Sequence, residues 1–179
     1  MLPDRLEFYE NWLSVSGLRE GTIGLAPLLA VLSFLRGEGQ VYSGVVARAG
    51  EYAAEWTVTS LPGVERRFMR ALPLGLRARA ALRTARALVR ATYPGSRAIV
   101  HVRKDTASVD LRGSLFCEVR EASVQPLCGF YAAAITRVLK LFAVPGEAHV
   151  ETCRASGGSQ GCLMSVVVRP APSGEPAAA

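Results

Sequence analysis

The hydrophobic period of the chain changes at Pro94 and Gly95, and this change constrains the fold more than any other feature. Before it, apolar side chains recur every three or four residues, which is the period of an α-helix. After it, they alternate in short runs, which is the period of a β-strand. Because the helices come first and the strands follow as neighbours, the order favours an α+β fold over a parallel α/β sheet.

The first half of the chain predicts a series of helices. They are a helix capped by Asp4, a helix that begins near Pro27, and three more over 41–58, 63–72 and 74–93. The last of these is the clearest, because its leucines, valines and alanines share one face while most of its arginines lie elsewhere.

The second half predicts strands and one late helix. The runs 97–104 and 106–113 alternate and predict a hairpin that turns at Lys104 and Asp105. The segment "SLFCEV" (114–119) predicts a third short strand, and Pro126 opens a helix over 127–142. A final hairpin pairs 148–153 with 162–170 around a glycine-rich loop.

These elements predict N-terminal helices packed on one face of a twisted antiparallel sheet, with a late helix and a C-terminal hairpin. The chain of 179 residues is long enough for one domain with a sizeable core, which we expect over 1–170. The tail 171–179 is rich in alanine, proline and glycine, and we expect it to be disordered.

Composition restricts the compartment and the state of the cysteines. The longest apolar run, 22–35, has the length of a core helix and is interrupted by Pro27, so no transmembrane segment is predicted. The N-terminus lacks the order of charges and apolar residues that a signal peptide has. We therefore expect a cytoplasmic protein, whose four cysteines are free, reactive or metal-bound rather than paired in structural disulfides.

The formal charge of +6 comes mostly from arginines that cluster between positions 66 and 103. A basic helix can bind nucleic acid or an acidic membrane surface, but an arginine-rich helix face is more often simply solvated. No aromatic residue interrupts the cluster between Phe68 and Tyr93, and no nucleic-acid-binding module is recognisable. Nucleic acid is therefore not favoured as a partner.

The last hairpin carries a candidate metal site. On a regular strand over 148–153, His149, Glu151 and Cys153 would share one face. Cys162 begins the partner strand, and Cys128 lies on the apolar stripe of the preceding helix. Zinc accepts sulfur, nitrogen and carboxylate ligands in a tetrahedron. The candidate ligands are Cys128, Glu151, Cys153 and Cys162, with His149 as a substitute for the carboxylate.

Two alternatives to zinc remain open for these cysteines: unmetallated thiols in the core, or a redox-active or lipid-modified cysteine. The remaining cysteine, Cys117 in "SLFCEV", is predicted to be a core thiol. We predict no catalytic residues, because the chain has no phosphate-binding loop, no Ser–His–Asp set and no paired carboxylates. The protein is thus more consistent with a binding function than with an enzyme.

The ending "VETCRASGGSQGCLMSV", which follows a helix that begins "LCGFYAAAI", resembles the end of the 4-vinyl-reductase-like domain. That family shares its fold with subunits of the TRAPP vesicle-tethering complex. The resemblance covers about 126–168. It implies a structural zinc bound by three cysteines and one glutamate, next to a buried pocket for a small hydrophobic ligand.

Carried over to this chain, the resemblance matches Cys128, Glu151 and Cys162 to family ligands at family spacing. Cys153 departs from the pattern, because the family has two residues between the glutamate and this cysteine, whereas Thr152 stands alone here. A shift of one residue reverses the face of a regular strand, and a β-bulge would restore it.

From the resemblance we expect a small-molecule-binding or sensory regulatory domain that acts through a partner protein. Its pocket would take a hydrophobic or aromatic small molecule. The candidate lining residues are Tyr52, Trp56, Phe116, Phe130, Tyr131 and Ile135. The alternatives are a homodimeric scaffold or adaptor like the TRAPP subunits, which would pair through its helices, and an accessory factor in tetrapyrrole (4-vinyl) reduction.

Overall fold

A computed structural model describes residues 25–37, 39–93, 95–103, 106–119, 122–157 and 161–168. The chain forms two units, one up to Tyr42 and one from Ser43 onward. The first unit contains helix α1 (Leu25–Arg36) and the start of helix α2 (Gln40–Ser60). The second unit contains the rest of α2 and all the elements described below.

Two further helices, α3 (Gly63–Ala71) and α4 (Leu74–Thr92), follow α2 closely. Pro62 and Pro73 stand directly before them as N-cap residues. Proline suits this position because its fixed φ angle fits a helix start and its missing N–H would have no partner there. The buried face of α4 consists of Ala78, Ala81, Leu82, Ala85, Leu88 and Val89, as the sequence predicts.

Helix α2 buries a different face from the one that its aromatic residues suggest. Val46, Gly50, Ala54 and Val58 are buried, whereas Tyr52 and Trp56 are mostly exposed. The reason is close packing of backbones: a Cβ at Gly50 would overlap the carbonyl oxygen of Phe130. Small side chains let two helices approach to this distance, and the larger side chains are left on the outside.

The four strands form one antiparallel sheet in the order β1-β2-β4-β3. The strands are β1 (Arg97–Arg103), β2 (Thr106–Arg112), β3 (Gly146–Thr152) and β4 (Cys162–Val168). Both predicted hairpins are confirmed, because β1 pairs with β2 and β3 pairs with β4. The central pairing of β2 with β4 joins the two hairpins into one sheet.

One helical layer covers one face of this sheet. Helix α4 contacts β1, and helix α5 (Gly129–Leu141) contacts both β3 and α4. Val109, Met164 and Val166 point from the sheet into the core, and each is at most 2% exposed. The predicted α+β fold, with a late helix and a C-terminal hairpin, is therefore confirmed.

The predicted third strand over 114–119 is wrong. The segment Leu115–Cys117 forms a 3-10 turn, in which the N–H of Cys117 donates to the carbonyl of Ser114 at 3.1 Å. A strand would alternate buried and exposed residues, but Leu115, Phe116 and Cys117 are all buried. Gly113, with φ of +68°, starts the change of direction after β2.

Some sequence predictions lie outside the described residues. They are the N-terminal helix after Asp4, the turn at Lys104 and Asp105, and the tail 171–179. The single domain over 1–170 also stays a prediction. Among the described helices, none has both the length and the apolar character that crossing a membrane requires.

Candidate metal centre

Four separate elements each bring one cysteine to the same place in the core. Cys117 ends the 3-10 turn, Cys128 is the N-cap residue of α5, Cys153 follows β3 directly, and Cys162 is the first residue of β4. None is more than 2% exposed and none forms a disulfide. The cluster lies where the sheet meets the start of α5.

The distances between the sulfur atoms suit a metal ion. The Cys117 sulfur lies 3.5 Å from that of Cys153 and 3.4 Å from that of Cys162, and the last two are 3.8 Å apart. All four Sγ atoms lie within 4.8 Å of one another. A tetrahedral zinc–sulfur distance of about 2.3 Å corresponds to sulfurs about 3.8 Å apart, so the four thiols have the spacing of a tetrathiolate zinc site.

A β-bulge places Cys153 in this group. The register of β3 against β4 shifts between Val150, which pairs with Met164, and Thr152, which pairs with Leu163. Glu151 is thus the extra residue of the bulge. As a result, the next side chain after Val150 that points into the core is that of Cys153, whereas a regular strand would place Thr152 there. The bulge thus compensates for the one-residue offset of Cys153 that the spacing in the sequence indicates.

Glu151 and His149, two of the predicted ligands, do not join the cluster. The Glu151 carboxylate is exposed on the opposite side of the sheet and accepts a hydrogen bond from Ser165. The His149 side chain is also exposed, with Nε2 3.9 Å from a Glu147 carboxylate oxygen. In this structure the fourth potential ligand is Cys117, because the 3-10 turn folds its side chain inward.

The environment of the four thiols separates their pKa values. Hydrogen bonds from Cys117, Cys128 and Cys162 lower the pKa of the Cys153 thiol, and those from Cys117 and Cys128 lower that of Cys162. Cys128 is the donor in such pairs, and its hydrogen bonds to Cys117, Cys153 and Cys162, together with burial, raise its pKa. Two of the sulfurs therefore favour the thiolate form, which a buried site must balance with positive charge.

Two backbone features already supply positive potential to the sulfurs. The N–H of Arg154 points at the sulfur of Cys162 at 3.4 Å. A backbone hydrogen bond from Leu127 likewise acts to lower the pKa of the Cys153 thiol. These partial charges orient thiolates, but they do not equal the charge of a divalent ion.

Ser114 gives an independent test of whether a metal fits. Its side chain is only 3% exposed, and its hydroxyl makes no hydrogen bond of regular geometry among the described residues, but it interacts with the Cys117 thiol and the Tyr131 hydroxyl. It precedes Cys117 by three residues in a 3-10 turn, in which side chains at this spacing lie one above the other. A thiolate at Cys117 would accept a hydrogen bond from the Ser114 hydroxyl, which would then be an outer-shell donor of the metal site. The residues present therefore fit a zinc ion held by four thiolates.

An aromatic cluster adjoins the four cysteines. Phe116 stacks on Phe130 with ring centroids 4.7 Å apart, and Tyr131 meets both rings edge-on. Tyr131 connects these rings to the sulfurs, because it is close enough to Cys117 and Cys162 for their charges to act on its pKa. Burial raises the pKa of Tyr131 to about 12, and its hydroxyl lies 3.5 Å from that of Ser96.

The structure brings together only part of the predicted pocket. Tyr52 and Trp56 are 56% and 61% exposed, so they do not enclose a space with the aromatic cluster. Ile135 faces a narrow apolar crevice beside Leu82 and Val109, which is too small for a water molecule. Phe116, Phe130 and Tyr131 are the three candidates that lie together.

A larger opening lies elsewhere on the second unit. It is a surface groove of about 250 Å³ beside α5 that includes Thr136, Arg137 and Lys140. Arg137 forms an ion pair there with Glu55 at 2.7 Å. The groove is polar and open, and it lacks the apolar enclosure expected for a hydrophobic ligand.

Comparison with known proteins supports the fold. No family model matches the sequence, and no curated protein matches it. The structure is similar to the phenol-responsive sensory domain of the transcription activator PoxR, solved with phenol, with a TM-score of 0.54 and 12% identity. That match covers 81% of this chain and 74% of the PoxR domain.

A second solved structure is a trafficking protein particle complex subunit 3 from Naegleria fowleri, covalently bound to palmitic acid. It matches with a TM-score of 0.47 and 12% identity, over 95% of this chain and 98% of that one. At 12% identity, the likeness to the PoxR domain concerns the fold alone.

Proposed function

We propose that this chain is a regulatory domain of the 4-vinyl-reductase-like type, which binds a small hydrophobic or aromatic molecule and acts through a partner protein. The observation that carries the proposal is the buried group of four cysteines at metal-binding distances, directly beside an aromatic cluster. The fold of a phenol-responsive sensory domain supports the same function. The chemistry is binding rather than catalysis, because the sulfurs would saturate a tetrahedral ion and leave no open position for a substrate.

We assign the metal as zinc and its ligands as Cys117, Cys128, Cys153 and Cys162. Zinc supplies structural cross-linking in such a site, since four thiolates complete its coordination. The ligands come from the 3-10 turn, the start of α5 and both strands of the last hairpin. The ion would therefore fix the wall of the ligand site.

Metal analysis tests this assignment with a matched pair of variants. Protein purified without metal-affinity steps should contain about one zinc per chain. Cys117→Ser should lose most of the zinc, whereas Glu151→Gln should keep it, because the glutamate lies on the other side of the sheet. Zinc loss in Glu151→Gln with retention in Cys117→Ser would contradict the ligand set. Wild-type protein purified without any bound metal would contradict the assignment of zinc itself.

The ligand site is proposed at Phe116, Phe130 and Tyr131. These rings occupy the space that they would line, so binding requires the Phe116 ring to move away from Phe130. An aromatic ligand would replace the lost ring stacking, and the Tyr131 hydroxyl would offer it a hydrogen bond.

Thermal unfolding with a series of phenols tests this site. Binding to the folded state should raise the melting temperature with increasing phenol concentration. Phe116→Leu should alter the phenol response, while Tyr52→Ala, at an exposed ring, should leave it unchanged. Native mass spectrometry would reveal a co-purified ligand. No response to any aromatic compound and no co-purified molecule would contradict ligand binding.

The second candidate function is a homodimeric scaffold, and the exposed side of α2 favours it. Val45, Tyr52 and Trp56 leave a row of large apolar side chains on the surface. Light scattering after gel filtration would detect a dimer, and Trp56→Ser should dissociate it if this row is the interface. A stable dimer without ligand response would favour the scaffold over the sensor.

A further inference from the structure

The outer face of α4 is a stripe of exposed arginines. Arg79, Arg83, Arg86 and Arg90 recur at the spacing of one helix face, and α4 contains no acidic residue. Within the described residues, none of the four has an ion-pair or hydrogen-bond partner. Like charges at this spacing destabilise a helix, so the stripe is suited to an external anionic partner.

Helix α3, which precedes α4 directly, exposes apolar residues beside further arginines. Val64 and Phe68, one helical turn apart, are 81% and 65% exposed, and Met69 is the buried residue of the helix. Arg67 is exposed next to Phe68, and Leu76 at the start of α4 is 50% exposed. The arginines of α3 outnumber its one acidic residue, Glu65, and a short helix that presents phenylalanine and valine outward among them has the composition of an interfacial helix.

We propose that α3 and α4 form a basic surface that binds an anionic lipid bilayer. The surface consists of Val64, Arg67, Phe68, Leu76, Arg79, Arg83, Arg86 and Arg90. The arginines pair with the anionic head groups, and Phe68 and Val64 enter the boundary between head groups and acyl chains. The protein would lie on the bilayer through this surface.

The charge and the exposed apolar side chains favour a bilayer over two other occupants. In a symmetric dimer through α4, the arginine stripe of one copy would face the same stripe of the other, which is repulsive. A nucleic acid would neutralise the arginines but leave Val64 and Leu76 in water. An anionic bilayer uses both the charges and the apolar side chains.

Sedimentation with vesicles tests the proposal. At roughly 0.1 M salt, the full chain should bind phosphatidylcholine vesicles that contain about 30% phosphatidylglycerol, and it should not bind vesicles of phosphatidylcholine alone. Binding should weaken as the salt concentration rises. Equal binding to both kinds of vesicle, or to neither, would overturn the proposal.

Two charge-matched variants locate the surface. Arg83→Gln combined with Arg86→Gln should weaken vesicle binding about 25-fold, at about fivefold for each arginine. Arg97→Gln combined with Arg103→Gln removes the same charge from β1 and should have a much smaller effect. If both double variants bind equally well, the attraction is a property of net charge and the assigned surface is wrong.

A second matched pair tests the apolar contact. Phe68→Ala should weaken binding to the anionic vesicles, whereas Ile99→Ala, at a 44% exposed residue on β1, should not. Unchanged melting temperatures would show that the variants are folded. If the wild type does not bind the vesicles but binds duplex DNA through Arg83 and Arg86, the surface is a nucleic-acid-binding surface and the lipid proposal is wrong.

Discussion

At the scale of single residues, the candidate metal centre depends on side chains that motif spacing does not reveal. Cys117 is separated from Cys128 by a loop and lies in a segment whose sequence predicts a strand. Its role follows from a turn that brings its sulfur within 3.5 Å of two other sulfurs. Ser114 is equally inconspicuous in the sequence, yet it is the buried hydroxyl nearest along the chain to that turn.

Replacing Ser114 should weaken metal binding through Cys117. Ser114→Ala removes a hydroxyl that interacts with this sulfur, so zinc affinity should fall about tenfold. Ser114→Thr keeps the hydroxyl and should retain most of the zinc affinity of the wild type. The thiolate-to-metal absorption band of the cobalt-substituted protein should shift in the alanine variant. An unshifted band with unchanged zinc affinity would contradict the role of Ser114.

Tyr131 should make the protein sensitive to alkali. Burial raises its pKa to about 12 from an ordinary value of about 10, so the folded state holds the proton more tightly than the unfolded state. The stability from this group is complete below pH 10 and is lost as the pH rises towards 12, by about 3 kcal/mol at most. Denaturant unfolding between these pH values should show this loss in wild type and not in Tyr131→Phe.

At the scale of elements, the sequence predicts correctly those helices and strands whose period is unambiguous. Helix α4 and strand β2 have one clear apolar face, and the structure confirms them together with the other three strands, although Ile99 on β1 and Leu163 on β4 are apolar and exposed. Helix α2 carries apolar residues on two faces, and its period correctly predicts a helix but selects the wrong inward stripe, through Val45, Tyr52 and Trp56, which are exposed. Packing against α5 decides which face is buried, and it selects the face with Gly50 and Ala54.

The contact at Gly50 predicts the effect of adding one methyl group there. Gly50→Ala would place a Cβ against the backbone of Phe130, which cannot move without shifting α5, so stability should fall by about 2 kcal/mol or more. Gly44→Ala, at a position in the same helix with open space around it, should be neutral or stabilising by up to about 1 kcal/mol. Denaturant titration of both variants compares the two sites directly. Equal effects would mean that α2 and α5 are not in close contact at Gly50.

At the scale of the whole molecule, one ion would connect elements that are distant in sequence. The four cysteines join the end of the turn after β2, the start of α5 and both strands of the last hairpin. Sequence patterns predict which three cysteines could meet here, but the fourth depends on the tertiary path of residues 113–117. The fold class could be predicted from the order and period of the elements, whereas the full ligand set depends on the tertiary structure.

Metal removal should therefore loosen a defined part of the protein. A chelator should lower the melting temperature, and it should act more strongly as the pH falls, because protons compete with the metal for thiolates. Hydrogen exchange should then speed up in β3, β4 and the first turn of α5, and much less in α4. Uniform faster exchange throughout the second unit would show that the metal stabilises this unit as a whole rather than the hairpin alone.

The bulge at Glu151 has a consequence for the protein in a crowded solution. Strand β3 is an edge strand of the described sheet, and an edge strand can pair with another extended chain, although its Ala148 N–H already donates to the Thr136 hydroxyl at 3.0 Å. The bulge breaks the regular ladder near the end of β3, and Glu147, His149 and Glu151 place charged or titratable side chains along it. The same irregularity that brings Cys153 into the core thus makes this edge a poor template for aggregation.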